Sequence, residues 1–226
     1  MVFRRVTGSF LMVALVPMSC VHAGLISGVT TTSSMGTFGT YNIGDLTNGQ
    51  GLSSSSINAY HTHSYSDMWL SETGQTEGTL TFDLGGTFSL SDIAIWNYTA
   101  ELSEGEYETG RGVEAFSVEL STDGGVTYTH EFPYLQLQEG TAPGDNFAQV
   151  FSLGGVLATH VKLNIVDYWA IDSFYVGLSE VQFREGTGSP VVPEPSAMVM
   201  FGIGALGLFG YSRRRRKTPD AAYCIE

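Results

Sequence analysis

Residues 80–98 read LTFDLGGTFSLSDIAIWNY, and their pattern decides the fold. Leu80, Phe82 and Leu84 alternate with polar residues, as expected of a β-strand with one buried face. The glycine pair at 85–86 predicts a turn, after which a second strand begins. The stretch therefore predicts two antiparallel strands that share one apolar side.

The same period of two recurs further along the chain, and turn-forming residues separate the strands. No long segment has the apolar spacing of a helix. The chain is therefore predicted to be all-β, most simply a sandwich, with a loop-rich start at 24–60 and an acidic loop at 101–112. The other alternating stretches are Phe116, Val118 and Leu120, and Val161, Leu163 and Ile165; the other turns are Asp123-Gly124-Gly125, Pro143-Gly144-Asp145 and Gly154-Gly155.

Both ends of the 226-residue chain differ in composition from this middle. Two arginines, an apolar stretch and Val21-His22-Ala23 predict a secretory signal peptide over residues 1–23. The segments predicted to follow are a β domain at 24–184, a linker at 185–192, an apolar sorting segment at 193–217 that contains a short transmembrane helix, and a cytoplasmic tail at 218–226.

The charge of the exported part argues against one class of partner. The whole chain has a net charge of −13, and residues 24–192 contain 20 acidic residues against three Lys or Arg. Nucleic acids and anionic membrane surfaces bind cationic proteins, so neither is an expected partner. Neutral sugars and divalent cations are compatible with this negative charge. The alternative is that the charge only keeps an exported protein soluble and marks no binding site.

Three passages together carry a family resemblance. They are residues 80–98, residues 111–128 (RGVEAFSVELSTDGGVTY) and residues 159–183 (THVKLNIVDYWAIDSFYVGLSEVQF). In this order and spacing they resemble the discoidin, or coagulation factor V/VIII C-type, domain of the galactose-binding-like proteins. The resemblance implies a jelly-roll β-sandwich whose loops at one end bind ligands, often sugars. It also implies an accessory binding module rather than an enzyme.

The same resemblance implies a structural calcium between an early loop and a glutamate on the last strand. Here the loop is 45–50, with Asp45 and Asn48, and the glutamate is Glu180. Calcium takes oxygen ligands from carboxylates, amides and carbonyls, which this loop offers. The apolar phase of the strand breaks at Glu180, and a β-bulge there would turn its side chain toward the loop. Capping of loop amides by Glu180 without a metal is the alternative, since Asn48 stands where relatives often have Asp.

The stretch AYHTHSYSDMW (59–69) is the candidate ligand-binding loop. His61 and His63 are two residues apart and would share one face of a strand, with Tyr65 and Trp69 nearby. Aromatic rings stack on sugar C–H faces while His and Tyr exchange hydrogen bonds, so we expect a sugar contact here. Zinc binding by the two imidazoles is less favoured, because no third ligand is evident. Trp69 also suits the core.

Arg111 has two interpretations. It is the first basic residue of the exported part and follows four glutamates in the 101–108 stretch. A buried or half-buried ion pair is favoured, because Arg111 leads directly into a strand and lone arginines commonly pair locally. The alternative is a ligand-binding guanidinium, which offers a planar fork of donors.

The C-terminal segment combines three features in a fixed order. A Pro-Glu-Pro is followed by the 15 apolar residues 197–211 and then by a basic cluster. As a helix the apolar run spans roughly 22 Å, short of the ~30 Å hydrocarbon core, and its basic end would stay cytoplasmic. The arrangement resembles the PEP-CTERM sorting signal, a tail that also carries an ice-binding-protein C-terminal label. The sorting residues are Pro193, Glu194, Pro195, Arg213, Arg214, Arg215 and Arg216.

The sorting resemblance implies export across the inner membrane of a Gram-negative bacterium, a transient membrane anchor and processing by an exosortase-type enzyme. The destination is the cell surface or the extracellular matrix. With the discoidin-like strands, it predicts a non-catalytic module that binds extracellular polysaccharide or another surface glycan. No catalytic motif is found in the sequence. A self-assembling matrix protein and, with less support, a polysaccharide hydrolase are the alternatives.

Overall fold

The computed structural model describes residues 24–169 and 174–186. The signal peptide predicted for 1–23, the linker beyond Gly186, the sorting segment and the tail lie outside these residues. Within the described residues, no helix is long and apolar enough to cross a membrane. The helices described are two short 3₁₀ turns, Ile43–Leu46 and Tyr65–Asp67; the strands are β1 (Thr30–Ser33), β2 (Tyr60–His61), β3 (Trp69–Leu70), β4 (Gly78–Asn97), β5 (Ala100–Ser103), β6 (Glu106–Glu108), β7 (Val113–Ser121), β8 (His130–Gln136), β9 (Asn146–Phe147), β10 (Gln149–Tyr168) and β11 (Gly177–Glu185).

Two long strands organise the sheet. β4 and β10 have 20 residues each and pair antiparallel along most of their length. The first half of β4 lies between β1 and the second half of β10, which also pairs with β7, and β7 pairs with β8. The second half of β4 lies between the first half of β10 and β11, with β3 on the far side of β11. The strand order is therefore β1–β4–β10–β7–β8 in one layer and β3–β11–β4–β10 in the other.

Two glycine pairs bend these long strands and do not end them. The prediction of turns at Gly85-Gly86 and Gly154-Gly155 is wrong, because both pairs lie inside continuous strands. The β4–β10 register shifts in both regions. Gly85, Gly154 and Gly155 have φ angles of +75°, +68° and +75°, which residues with a Cβ rarely adopt. The unpaired residues bulge, and each strand passes there from one layer to the other.

Aromatic contacts show that the two layers face each other. Phe82, in the first half of β4, packs edge-on against Phe183 of β11, with 5.1 Å between ring centroids. Phe116 of β7 packs in the same way against Phe151 of β10, at 5.2 Å. The core fills the space between the layers, and the prediction of an all-β sandwich is confirmed. Its members include the apolar residues of all three alternating stretches, each at most 3% exposed: Leu80, Phe82, Leu84, Phe116, Val118, Leu120, Val161, Leu163 and Ile165.

Asn97, at the end of β4, ties together the loops at one end of the sandwich. Its buried side-chain amide donates to the carbonyls of Val113 (2.8 Å) and Gln138 (2.7 Å). The backbone carbonyl of Asn97 accepts hydrogen bonds from the side chains of Asn146 (2.7 Å) and Ser179 (2.8 Å). Segments from four parts of the chain are therefore held at one point. We call this region the loop end.

The acidic segment 101–112 is more regular than its composition predicts. β5 and β6 pair antiparallel within it and form a hairpin. Gly105 makes the turn with a φ of +78°, and the Ser103 hydroxyl donates to Glu106 at 2.7 Å. The Glu101 N–H donates to the His63 carbonyl at 2.8 Å, so the hairpin is attached to the loop end.

Candidate functional site

Five aromatic side chains form a partly exposed cluster at the loop end. Phe38 lies 4.9 Å from Tyr175 and 6.5 Å from Tyr41, measured between ring centroids. Tyr65 extends the cluster from Tyr41 at 6.3 Å, and Phe174 extends it from Tyr175 at 6.5 Å. Tyr65 and Phe174 are each 54% exposed and Phe38 is 40% exposed. We call these five residues the aromatic patch.

The patch rests on a buried tryptophan. Trp69 is fully buried, and its indole N–H donates to the Gly36 carbonyl and to the Thr37 hydroxyl, both at 3.1 Å. Phe38 follows directly, and its N–H donates to the Leu70 carbonyl at 2.9 Å. Trp69 is therefore a core residue that holds the loop of Phe38. This corrects its assignment as a ligand contact, because solvent does not reach the ring.

Arg111 lies beside the patch. Its guanidinium is 4.9 Å from the centroid of the Tyr175 ring and 4.0 Å from the Glu108 carboxylate. Its carbonyl accepts a hydrogen bond from the Gly177 N–H at 2.8 Å. The structure thus contains the ion pair that the sequence favours. It adds a cation–π contact with a patch residue.

Two tyrosine hydroxyls meet beneath the patch. The hydroxyl oxygens of Tyr41 and Tyr98 are 2.9 Å apart, and Tyr98 is fully buried. Burial raises the pKa of both hydroxyls above the usual tyrosine value. Both therefore stay neutral at physiological pH and act as hydrogen-bond donors and acceptors.

The two histidines of the candidate loop do not share a face. β2 ends at His61, so the period of the strand stops before His63. His61 is fully buried, with Nδ1 2.7 Å from the Thr62 carbonyl, and this burial lowers its pKa. His63 instead lies against Tyr107, at 5.1 Å between ring centroids, with Nε2 3.2 Å from the Thr141 carbonyl. The prediction of one imidazole face is wrong, and His61 is a core residue rather than a ligand contact.

The three residues predicted to hold calcium meet beside β11. Glu180 is fully buried, and both of its carboxylate oxygens accept from the Gly49 N–H, at 3.2 and 3.3 Å. The Asn48 side-chain amide donates to Asp45 at 2.9 Å, while its oxygen accepts from the Gln50 N–H at 2.7 Å. The register of β11 against β4 shifts just before Glu180, so the predicted bulge is confirmed.

Burial raises the pKa of both carboxyls in this loop. The pKa of Glu180 rises to about 8, chiefly through burial and also through the charge of Asp45; hydrogen bonds from Gly49 and Gln182 oppose the rise. The pKa of Asp45 is raised as well, chiefly by burial. Glu180 is therefore largely an uncharged acid near neutral pH, and a cation beside it would favour the ionised form.

Side chains alone do not assemble a metal site in the part of the chain that the structure describes. No group of three or more His, Cys, Asp or Glu side chains is close enough there to hold an ion. Zinc sites are built from such groups. Calcium also takes backbone carbonyl oxygens as ligands, so a calcium site in the 45–50 loop does not require three such side chains.

Four of the five residues of the aromatic patch could not be predicted from the sequence. Phe38 and Tyr41 precede the candidate loop, whereas Phe174 and Tyr175 come just before the last strand. All four stand in loop segments without a strand period, so no pattern relates them. The one available signal is local, since an aromatic residue among Gly, Ser and Thr has no apolar face to join. Tyr65 is the patch member that the sequence does single out.

The C-terminal segment, which lies outside the described residues, matches a known motif. Residues 191–216 are a PEP-CTERM protein-sorting motif. The match confirms the sorting signal predicted from Pro193-Glu194-Pro195 and the basic cluster. A PEP-CTERM motif indicates an exported protein that is sorted to the cell surface. No curated protein matches the chain by sequence.

The β domain that precedes the PEP-CTERM motif is similar to solved structures. The F5/8 type C domain of a Bacteroides fragilis protein matches with a TM-score of 0.50 at 11% identity, over 72% of this chain and 96% of that one. At this identity the similarity concerns the fold, and the predicted discoidin-like, galactose-binding-like architecture is confirmed.

Two further matches have lower TM-scores. The family 32 carbohydrate-binding module of Clostridium perfringens NanJ, solved with galactose, has a TM-score of 0.45 at 16% identity, over 71% of this chain and 98% of that one. CpGH89 of Clostridium perfringens, solved with its substrate GlcNAc-α-1,4-galactose, has a TM-score of 0.45 at 18% identity. That match covers 70% of this chain and 14% of CpGH89, so the similarity is to a small part of that protein.

Proposed function

We propose that this protein is a non-catalytic glycan-binding module and that the aromatic patch is its binding surface. The observation that carries the proposal is the cluster of exposed rings formed by Phe38, Tyr65 and Phe174. Single exposed aromatic residues are common, whereas a contiguous exposed group supported by a rigid scaffold marks a binding surface. Sugar rings present C–H faces that pack on such rings, and tyrosine hydroxyls at the patch supply hydrogen bonds.

The charges favour a neutral glycan. Each Lys and Arg of the described residues has a carboxylate within ion-pair distance: Glu108 for Arg111, Glu119 for Lys162 and Asp92 for Arg184. An anionic sugar at the patch would compete with Glu108 for Arg111 and would lie near the glutamates of the β5–β6 hairpin. A neutral polysaccharide meets neither obstacle.

A pull-down with extracellular polysaccharide from the producing cells tests the patch. We expect the exported protein to bind and the double variant Tyr65→Ala/Tyr175→Ala to bind much more weakly while it keeps its fold. Tyr134→Ala is the matched control, because it removes a tyrosine of β8 that is 66% exposed and outside the patch. Equal binding by all three proteins would refute the proposal. Release of sugar fragments would instead indicate a hydrolase, and concentration-dependent oligomers without glycan binding would indicate a matrix protein.

The export route is a second part of the proposal, and the sorting motif supports it. The signal peptide takes the chain across the inner membrane of a Gram-negative bacterium, and the apolar run holds it there transiently. An exosortase-type enzyme then processes the chain near Pro193–Pro195, and the domain acts at the cell surface or in the extracellular matrix. Mass spectrometry of the protein from its cells tests this route. A C-terminus at or before Pro195 supports it, and an intact chain to Glu226 contradicts it.

A structural calcium in the 45–50 loop is the last part of the proposal. Two of the three candidate ligands fit: Asp45 and Glu180 are buried carboxyls with raised pKa values, and loop carbonyls would complete an oxygen set. Asn48 fits less well, since its oxygen already accepts from the Gln50 N–H and its nitrogen faces Asp45. Calcium bound here would neutralise the two carboxylates and hold the loop against β11.

Thermal unfolding tests the calcium. We expect calcium added to chelator-treated protein to raise Tm, because an ion that binds only the folded state stabilises it. Glu180→Gln removes a charged ligand and should abolish the rise, whereas Glu131→Gln, at an exposed position of β8, should keep it. A Tm that responds neither to chelator nor to calcium would contradict the site.

A further inference from the structure

A cavity of about 850 Å³ opens on the flank of the sandwich and shares no residue with the aromatic patch. Its walls are the segment 25–31, parts of the loop 42–55 and residues 181–183 of β11. The Thr47 hydroxyl donates to the Val29 carbonyl at 3.1 Å and so joins the first two walls. The volume is within the range of roughly 300–1,000 Å³ that is typical of small-molecule sites. We call it the flank cavity.

The lining of the flank cavity is uncharged. No Asp, Glu, Lys, Arg or His is among the described residues that line it, although the domain is strongly acidic. Ile26, Val181 and Phe183 are apolar lining residues that are otherwise buried. Polar lining groups are hydroxyls and amides, among them Ser27, Asn42, Ser54, Ser55 and Gln182. The chemistry suits a neutral ligand that has both apolar faces and many hydroxyls.

One lining residue has polar groups without partners. Thr31 lines the cavity, and its buried hydroxyl has no hydrogen-bond partner among the described residues. The Ser34 N–H donates to the Thr79 carbonyl, and Thr31 lies opposite Phe82 in the same antiparallel register. Because hydrogen bonding alternates along such a pair, the N–H and C=O of Thr31 point away from β4. A ligand along the edge of β1 that pairs with this N–H and C=O would recover an interaction that the protein alone lacks. The hydroxyl of Thr31 is closed to solvent and is not part of the site.

Two other occupants fit less well. An acyl chain would cover the hydroxyls and amides of the lining and leave them without partners. A peptide added as a strand along β1 would need successive free carbonyls, but the Val29 carbonyl already accepts from Thr47. A hydroxyl-rich ligand pairs with the lining without requiring a ladder.

From this geometry we propose that the flank cavity binds an uncharged oligosaccharide, at a site separate from the aromatic patch. Its apolar lining packs on the C–H faces of the sugar, and the hydroxyls and amides exchange hydrogen bonds with it. The site does not rest on the proposed role of the patch, and either site can fail without the other.

Hydrogen–deuterium exchange locates the site on the exported protein purified from its cells. The probes are α-1,4-galactotetraose, maltotetraose and cellotetraose. At least one is expected to slow exchange in peptides covering 25–31 and 42–55. Tetragalacturonate, which differs from the first probe by its carboxylates, is expected to give no protection. If no neutral tetrasaccharide protects these peptides, or if only n-decanol does so, the proposal is overturned.

Two filling variants test the same cavity by affinity. Ser27→Trp and Ser55→Trp place a large ring at exposed lining positions and are expected to weaken tetrasaccharide binding at least about tenfold, or ~1.4 kcal/mol. Thr122→Trp, in the exposed hairpin between β7 and β8, is the matched control and should bind as the parent does. Parent-like binding by both filling variants overturns the proposal.

The patch variant separates the two sites. Tyr65→Ala/Tyr175→Ala should leave the protection of 25–31 and 42–55 unchanged. Loss of that protection together with patch binding would mean that a single site at the loop end accounts for both, which also overturns the proposal. Protection that persists when polysaccharide pull-down fails would leave the flank cavity supported and the proposed function refuted.

Discussion

The aromatic patch and the flank cavity differ in shape and in the charge of the residues that form them. The patch exposes aromatic rings to solvent, and charged groups such as Arg111 and Glu108 lie beside it. The cavity is concave and has no charged lining residue among those described. Arg111 and Glu108 are little exposed and offset their desolvation by pairing with each other, whereas a charge in the cavity wall would carry that cost without such a partner. We infer that the patch suits one face of a long glycan and the cavity a shorter segment.

Each region also depends on a different buried residue. Trp69 holds the loop that carries Phe38 of the patch. Glu180 holds Gly49, which lines the flank cavity. The two supports differ in kind. The indole N–H of Trp69 has hydrogen-bond partners, whereas the hydrogen bonds of the Glu180 carboxyl only partly offset the cost of burying it.

Removing the support of the patch should have the largest effect. Trp69→Ala deletes a fully buried ring and is expected to lower the free energy of unfolding by about 3–5 kcal/mol. Trp69→Phe is the matched variant: it keeps a ring and removes the N–H, so the loss should be smaller. Chemical denaturation measures both. A loss below about 1 kcal/mol for Trp69→Ala would mean that the ring does not support the loop.

Glu180, which supports the cavity, is expected to make the free energy of unfolding depend on pH. The folded-state pKa of Glu180 is about 8, above the value of ~4.3 expected in the unfolded chain. The folded protein therefore binds the extra proton between these values, and stability falls as pH rises from about 4.5 to 8. In chelator, the parent should lose roughly 2–4 kcal/mol across this window relative to Glu180→Gln. Parallel urea-unfolding profiles for the two proteins would contradict the buried acid.

Truncating one ring of the patch should separate binding from stability. Tyr175→Ala removes the ring that contacts Phe38, Phe174 and the Arg111 guanidinium. We expect the affinity for the polysaccharide to fall by about 1 kcal/mol or more, because a stacking surface is lost. The free energy of unfolding should change less, since the ring is only half-buried. Calorimetric titration and denaturation of the same samples check the two effects, and an unchanged affinity would contradict the role of the patch.

The smallest expected effect concerns the wall of the cavity. Thr31→Val replaces a buried hydroxyl without a partner by a methyl group of similar size. Stability should stay the same or rise by up to about 1 kcal/mol, because the desolvated hydroxyl is removed. Denaturation against the parent measures the change. A loss of more than about 1 kcal/mol would show that the hydroxyl has a partner after all.

The strands were predictable because their signal is local. Burial of one face imposes a period of two on neighbouring residues, so Leu80, Phe82 and Leu84 identify a strand without any knowledge of its partners. The bulge before Glu180 was predictable for the same reason, since it breaks that period. The turns at the two glycine pairs were not. A glycine pair either reverses a strand or bends it, and the choice depends on pairing with a distant strand.

The candidate sites were only partly predictable. Asp45, Asn48 and Glu180 meet as the family resemblance implies. His61 was predicted as a ligand contact, and Trp69 as either a ligand contact or a core residue. Both are buried, and sequence composition does not reveal which side of a loop faces the core. The sorting motif is contiguous in sequence, so it can be recognised without the fold.

The linear chain is enough to specify the β-strands, the acidic exported domain and the PEP-CTERM motif, because each depends on neighbouring residues or on composition. Tertiary packing alone specifies the aromatic patch and the flank cavity. Phe38 and Tyr175 come from opposite ends of the domain sequence and meet only when β3 and β11 pair. The cavity likewise needs the first segment and the last strand side by side, where Leu25 pairs with Arg184. Surfaces of this kind arise from long-range contacts, which no local period encodes.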